Sequence, residues 1–211
     1  MATRRKTLIS SRKKPQQARS NELVAAILQA AIQVLEKEGA HRFTTARVAE
    51  KAGVSVGSVY QYFPNKASIL FRLQSDEWRQ TSELLQSILL DTRQPPLERL
   101  RTLVHVFIRS ECDEAKVRIA LHDAAPLYRD APEAREVRAS SERAVETFMK
   151  EVLPGASATR RELAGELITR TMSEVGKGFS ESPRTAAEIK TYSAAMADMF
   201  CAYLKSLAKA T

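Results

Sequence analysis

Phe43-Thr-Thr-Ala-Arg-Val-Ala-Glu-Lys-Ala-Gly-Val-Ser-Val-Gly-Ser-Val-Tyr-Gln-Tyr-Phe-Pro-Asn-Lys66 spells two short helices joined by a tight turn. Val48, Ala49 and Ala52 fall on one helical face. Gly53 stands where the first helix must end on a left-handed backbone. Ser55 can cap a second helix, over 56–62, whose inward residues are Val59 and Phe63. Outward near its N-terminus remain Val56, Gly57, Ser58 and Gln61, which are small or hydrogen-bonding. A helix on an ordinary surface carries Glu and Lys there, whereas one that enters a major groove needs a slim tip. A hairpin of this shape also occurs in all-α proteins where it only packs.

The residue identities go further than the spacing. Thr45, Val48-Ala49, Ala52-Gly53-Val54-Ser55, Gly57-Ser58-Val59-Tyr60, Tyr62-Phe63 and Asn65-Lys66 resemble the N-terminal DNA-binding domain of the TetR family of transcriptional repressors. The resemblance covers residues 21 to 73; beyond them only a general helical character is shared. Thr45, with the free N–H groups of the helix it starts, suits a backbone phosphate. Arg47 sits in that same first turn, where the helix dipole disfavours a cation and a phosphate would compensate; plain solvent exposure fits it equally. Lys66 opens the next helix in a similar position. Tyr60 and Tyr62 look like the tyrosines that family members set against phosphate and sugar, with partial core packing as their other reading. Base reading falls to Val56, Gly57, Ser58 and Gln61: a methyl contact for thymine, close backbone approach, a hydroxyl and an amide. No arginine is aimed at guanine, so phosphate contacts, the basic N-terminal arm and DNA shape are expected to carry much of the affinity.

The chain has 211 residues, 44 % of them hydrophobic, with only seven glycines, and it is rich in Ala, Leu, Glu, Arg and Lys. A packed all-α fold is the expectation. Cys112 and Cys201 stand far apart, which argues against a disulfide framework and for a reduced compartment. No apolar run approaches the ~20 residues of a membrane span, and the charged N-terminus does not read as a signal peptide. The expected location is therefore the cytoplasm, which the family resemblance implies to be bacterial, at the nucleoid when bound. Of the net charge of +8, seven positive charges lie within residues 1–20, which contain no acidic residue. This basic arm is either a solubilising leader or a segment that follows phosphates beside the helical hairpin.

Outside the hairpin the pattern stays helical. Asn21 can cap a helix to Glu38, ended by Gly39. Asn65 can cap a long helix from Lys66 to Leu90, about 37 Å in length. After the Pro95-Pro96 break come helices near 97–111, 115–125, 133–153, 159–177 and 185–208. Gly176 and Gly178 read as breakers, and Ser182-Pro183 as a cap followed by a first helical residue. The expected organisation is a basic arm (1–20), a helix-turn-helix domain (21–66) and a six-helix regulatory domain (67–211).

In the regulatory domain two apolar stripes stand out. One carries Leu163 and Leu167; the other carries Ile189, Tyr192, Met196, Met199, Phe200 and Tyr203. Such stripes mark core, yet the last is wider than one neighbouring helix requires, and the family resemblance implies a two-fold dimer there. The resemblance also implies a small-molecule cavity, for which Trp78, Leu103, Phe107 and His122 are candidates, together with Tyr128, Phe148 and Met172. His105, Cys112 and His122 have no metal-site spacing, so no metal and no cofactor are expected. Without a nucleophile elbow, phosphate loop or HExxH pattern an enzyme is not expected. The function implied is a homodimeric transcriptional regulator, a repressor that binds a palindromic operator in double-stranded DNA and is released by an unidentified small-molecule effector. The alternatives are a DNA binder without small-molecule input, controlled by a partner or organising the chromosome, and an activator.

Overall fold

The computed structural model describes residues 18–124 and 132–209. Those residues form α1 (Ala18–Arg42), α2 (Thr45–Ala52), α3 (Val56–Tyr62), α4 (Lys66–Leu89), α5 (Pro96–Asp113), α6 (Ala115–Ala124), α7 (Pro132–Val152), α8 (Ala158–Ser180) and α9 (Ala186–Lys209), with no strand among them. The fold is all-α. The N-terminal arm up to residue 17, the side chain of His122 and all of Tyr128 lie outside the described residues.

Local chemistry explains most boundaries. Gly39 breaks the first helical run with φ 71° and ψ 172°, a conformation closed to side-chain-bearing residues. Gly53 takes φ 67°, and the N–H groups of Gly53 and Val54 close onto the Glu50 and Ala49 carbonyls at 3.1 and 3.0 Å. Asn65 caps α4, its Oδ1 accepting from the Ser68 N–H at 2.9 Å.

Three expectations fail at helix ends. α1 is already helical at Ala18, so Asn21 lies inside it and caps nothing. α8 runs through Gly176 and Gly178 to Ser180. Gly176 is a packing residue: a Cβ there would stand 3.0 and 3.1 Å from Ile108 and Phe107 of α5. α9 begins at Ala186 rather than at Pro183. The Thr185 Oγ1 accepts from the Glu188 N–H at 3.2 Å while Glu188 accepts from the Thr185 N–H at 2.7 Å. That reciprocal capping box outcompetes the Ser182-Pro183 start.

The chain divides into two compact units. The first comprises α1–α3, α4 as far as Trp78, and α6. Its core joins Ile27, Ala31 and Leu35 of α1 to Phe43, Val48, Val59 and Phe63, and these to Ile69 and Leu70 of α4 and Leu121 of α6. Arg118 of α6 pairs with Glu77 of α4 at 3.4 Å. The first unit thus extends past Lys66, because a three-helix hairpin of this size buries too little alone and borrows apolar surface from α4 and α6. The second unit takes the rest of α4 with α5, α7, α8 and α9. Leu100, Val104 and Ile108 of α5 meet Phe148 and Met149 of α7, Ala164, Ile168 and Met172 of α8, and Met196, Phe200 and Leu204 of α9.

Candidate nucleic-acid interface

Val59 is buried, and Gly57 and Gln61 stand on the opposite face of α3; these two, Tyr60 and Val56 in the first turn are all exposed. Ser55 caps the helix: its Oγ accepts from the Ser58 N–H at 3.0 Å and shares a 2.8 Å hydrogen bond with the Ser58 hydroxyl. The two serines are therefore one unit at the tip of α3, with Ser58 half-buried beside its cap. Among Val56, Gly57, Ser58 and Gln61, the longest polar reach belongs to Gln61.

Thr44, not Thr45, caps α2, accepting from the Arg47 N–H at 3.2 Å. That leaves the Thr45 side chain to point toward α3, where its hydroxyl lies 3.2 Å from the Tyr60 hydroxyl. Two hydroxyls from different helices converge beside the N-terminus of α2, where partial positive charge favours an anion. Lys66 is exposed at the first residue of α4.

Two residues expected at the interface serve the fold. Tyr62 is 7 % exposed and belongs to the core of the first unit. Residues three apart on α3 share a face, so Tyr62 follows Val59 inward. Arg47 pairs with Glu38 of α1 and donates to the Arg42 carbonyl at 3.0 Å. Its charge is answered within the protein, and the guanidinium clamps the end of α1 to the start of α2.

In the second unit, Leu103, Phe148 and Met172 line a cavity of about 10 Å³ together with Leu89, Leu100 and Met149. Phe107 packs on the same core but not on the cavity, and Trp78 packs on the core of the first unit. The apolar stripes split likewise. Leu163, Leu167 and Met199 are 60 %, 49 % and 52 % exposed, whereas Ile189, Met196 and Phe200 are buried against neighbouring helices. The stripe of α9 looked too wide because it serves two faces. Tyr192 stacks on Phe179 with centroids 3.9 Å apart beside an open groove of about 450 Å³, and Tyr203 is half-buried.

His105 shares a 2.9 Å hydrogen bond with Ser193. Burial pushes the Cys112 thiol above its ordinary pKa, and Asp113 adds to the rise, so the thiol stays protonated at neutral pH. Sequence reasoning missed Arg99 and Glu111, charged residues buried on α5. The signal was there: Arg99 precedes Leu103 by four residues and Glu111 follows Ile108 by three, both on the apolar face.

Two family models match the chain: the one described as bacterial regulatory proteins, tetR family, over residues 27–73, and the one described as tetracyclin repressor-like, C-terminal domain, over residues 95–207. The HTH-type transcriptional regulator TtgR of Pseudomonas putida is 32 % identical over 152 residues, 70 % of this chain and 71 % of that protein. The nucleoid occlusion factor SlmA of Vibrio campbellii is 39 % identical over 83 residues, 39 % of this chain. The chain matches only 42 % of that relative's length, less than half. Among solved structures, Bacillus subtilis FadR in complex with stearoyl-CoA superposes with a TM-score of 0.64 at 18 % identity, covering 83 % of this chain and 96 % of that one.

Proposed function

The chain belongs to the TetR family of bacterial regulatory proteins, and from that premise we propose that it is a homodimeric, sequence-specific DNA-binding repressor that a small molecule releases from its operator. The outward face of α3 carries this reading: Val56, Gly57, Tyr60 and Gln61 are exposed on a short helix free of acidic residues. The Thr45–Tyr60 hydroxyl pair and Lys66 supply phosphate contacts that set its register. Leu163, Leu167 and Met199 support a second copy, because large apolar side chains so exposed mark an association surface. Two readers then meet two half-sites about one helical turn, or a multiple of it, apart.

Release needs an effector that binds the two conformations of the body with different affinity. α4 contributes to both units and is the element through which such a difference reaches the reader. Selection of bound duplexes from a random pool tests the first half of the proposal. An inverted repeat should emerge, and its retention should weaken with salt. A pool that stays random after repeated rounds would sink it.

A second reading is DNA binding without a small-molecule input, as in chromosome organisation; the likeness to nucleoid occlusion factors favours it. Screening compounds for release from the selected site separates the two. Release by an apolar metabolite supports the first, and indifference to every compound supports the second.

A further inference from the structure

We propose that Val56 and Tyr60 together form an apolar seat for the C5-methyl group of a pyrimidine, so that the protein reads a thymine by its methyl and senses cytosine methylation at the same position; this rests on the DNA-binding reading above. Val56 and Tyr60 are 40 % and 41 % exposed. Standing four residues apart, they are neighbours on one flank of α3. Ser58 occupies the other flank, its hydroxyl engaged with that of Ser55, and Gly57 and Gln61 lie between. The reading tip is thus divided into an apolar flank and a polar remainder.

The chemistry of that flank selects what it can meet. No charged residue occurs between Lys51 and Lys66. The tip therefore offers no cation for guanine and no carboxylate for the cytosine amine. A hydrogen-bonding base edge pressed against valine methyls or a ring face loses its water and finds no partner, which is unfavourable. The one apolar group that B-DNA displays in the major groove is the C5-methyl of thymine. A cytosine methylated at C5 presents the same group at the same place.

The seat is held in place before DNA arrives. The Tyr60 hydroxyl lies 3.2 Å from that of Thr45 on α2, which tethers the far end of the ring. Val56 follows directly on the cap that the Ser55 Oγ makes with the Ser58 N–H at 3.0 Å. Its β-branched side chain is stiff at χ1, so little freedom is lost on contact. Next to it, a Cβ on Gly57 would find only the Ser55 Oγ within 4 Å, at 3.7 Å, which leaves room for a base edge to approach.

Titration of the full-length protein with the duplex selected from the random pool, carrying deoxyuridine in place of one thymine at a time, tests this directly. Replacing the methyl by hydrogen should weaken binding about fourfold at one position of a half-site, and about 16-fold when both half-sites are changed. A cytosine at that position should bind more weakly than thymine, and 5-methylcytosine should recover about fourfold. Val56→Ala and Tyr60→Ala should each bring the ratio of thymine to deoxyuridine affinity close to one. Both side chains are exposed, so neither change opens the core. Indifference to deoxyuridine at every position, no gain from 5-methylcytosine, or an undiminished ratio in either variant would overturn the proposal while the DNA-binding reading stands on the selected site. If no sequence emerges from the pool, the DNA-binding reading falls and this proposal with it.

Discussion

The two units dispose of their apolar side chains differently. In the first, Phe43, Val48, Val59 and Phe63 close on α1 and the early turns of α4, and the outward face of α3 keeps only small or polar-tipped residues. In the second, α5 packs against α7, α8 and α9, yet Leu163, Leu167 and Met199 remain outside. On the proposed reading the first unit meets a hydrated, charged partner, and the exposed leucines of α8 in the second meet another copy of the chain. The contrast predicts that damage to the two surfaces separates cleanly into lost contacts and lost association.

The largest effect should come from Leu167→Glu. The side chain is 49 % exposed, so the monomer folds with its core intact. On the proposed reading, a charge within the association face should shift the protein from dimer to monomer in light scattering. Losing the linkage between two readers should weaken the palindromic site about 100-fold or more, while a single half-site is bound as before. A Leu167→Glu protein that stays dimeric would remove α8 from the interface and leave its exposed leucines without this explanation.

Within α8 the two roles of glycine can be set against each other. A Cβ on Gly165 would fall 2.9 Å from the Val145 Cγ1, on a β-branched side chain with little freedom to retreat. Gly178 faces nothing within 4 Å. Gly165→Ala should therefore destabilise by about 1–3 kcal/mol through overpacking. Gly178→Ala should stabilise by up to about 1 kcal/mol through helix propensity alone. Urea melts of the two variants decide the matter, and equal shifts of the same sign would show that α7 does not approach α8 as closely as described.

This pair also explains which parts of the molecule were legible in the sequence. Gly53 announced its structural duty because a glycine between two short amphipathic segments has few other uses. Gly176 and Gly178 carry the same letter inside a long helix, and nothing local says that one packs against Phe107 while the other faces open space. The hairpin was readable because its contacts are close in sequence: Ser55 to Ser58, Gly53 to Glu50, Asn65 to Ser68. The Arg47 clamp was not legible because its partner, Glu38, lies nine residues back across the Gly39 break. The body was readable only as helices. Which side of α9 meets α5 depends on partners about a hundred residues away, as Cys201 against the Leu97 carbonyl shows. Periodicity supplies a stripe and not the neighbour that covers it.

Ser55→Ala should cost about 0.5–2 kcal/mol by removing the cap of α3. Its value lies in the coupling: the Ser58 hydroxyl loses its 2.8 Å partner at the same time. Base preference in the selected site should broaden along with the loss of stability. Stability lost with an unchanged preference would confine Ser55 and Ser58 to capping and leave base reading to Val56, Gly57 and Gln61.

The smallest effects separate the roles of two cations nineteen residues apart in the sequence. Arg47 is engaged by Glu38 and the Arg42 carbonyl, so Arg47→Ala should lower stability by about 0.2–1 kcal/mol, the range of a part-exposed pair. The salt dependence of DNA binding should not change, because no phosphate contact is removed. Lys66 is exposed at the start of α4, and no ion pair among the described residues engages its charge. Lys66→Ala should leave the melting curve in place and weaken every duplex similarly, with the slope of log affinity against log salt falling by about one. If the slopes behave the other way round, Arg47 leaves its clamp when DNA arrives, and the division between residues that build the reader and residues that touch its partner has to be redrawn at α2.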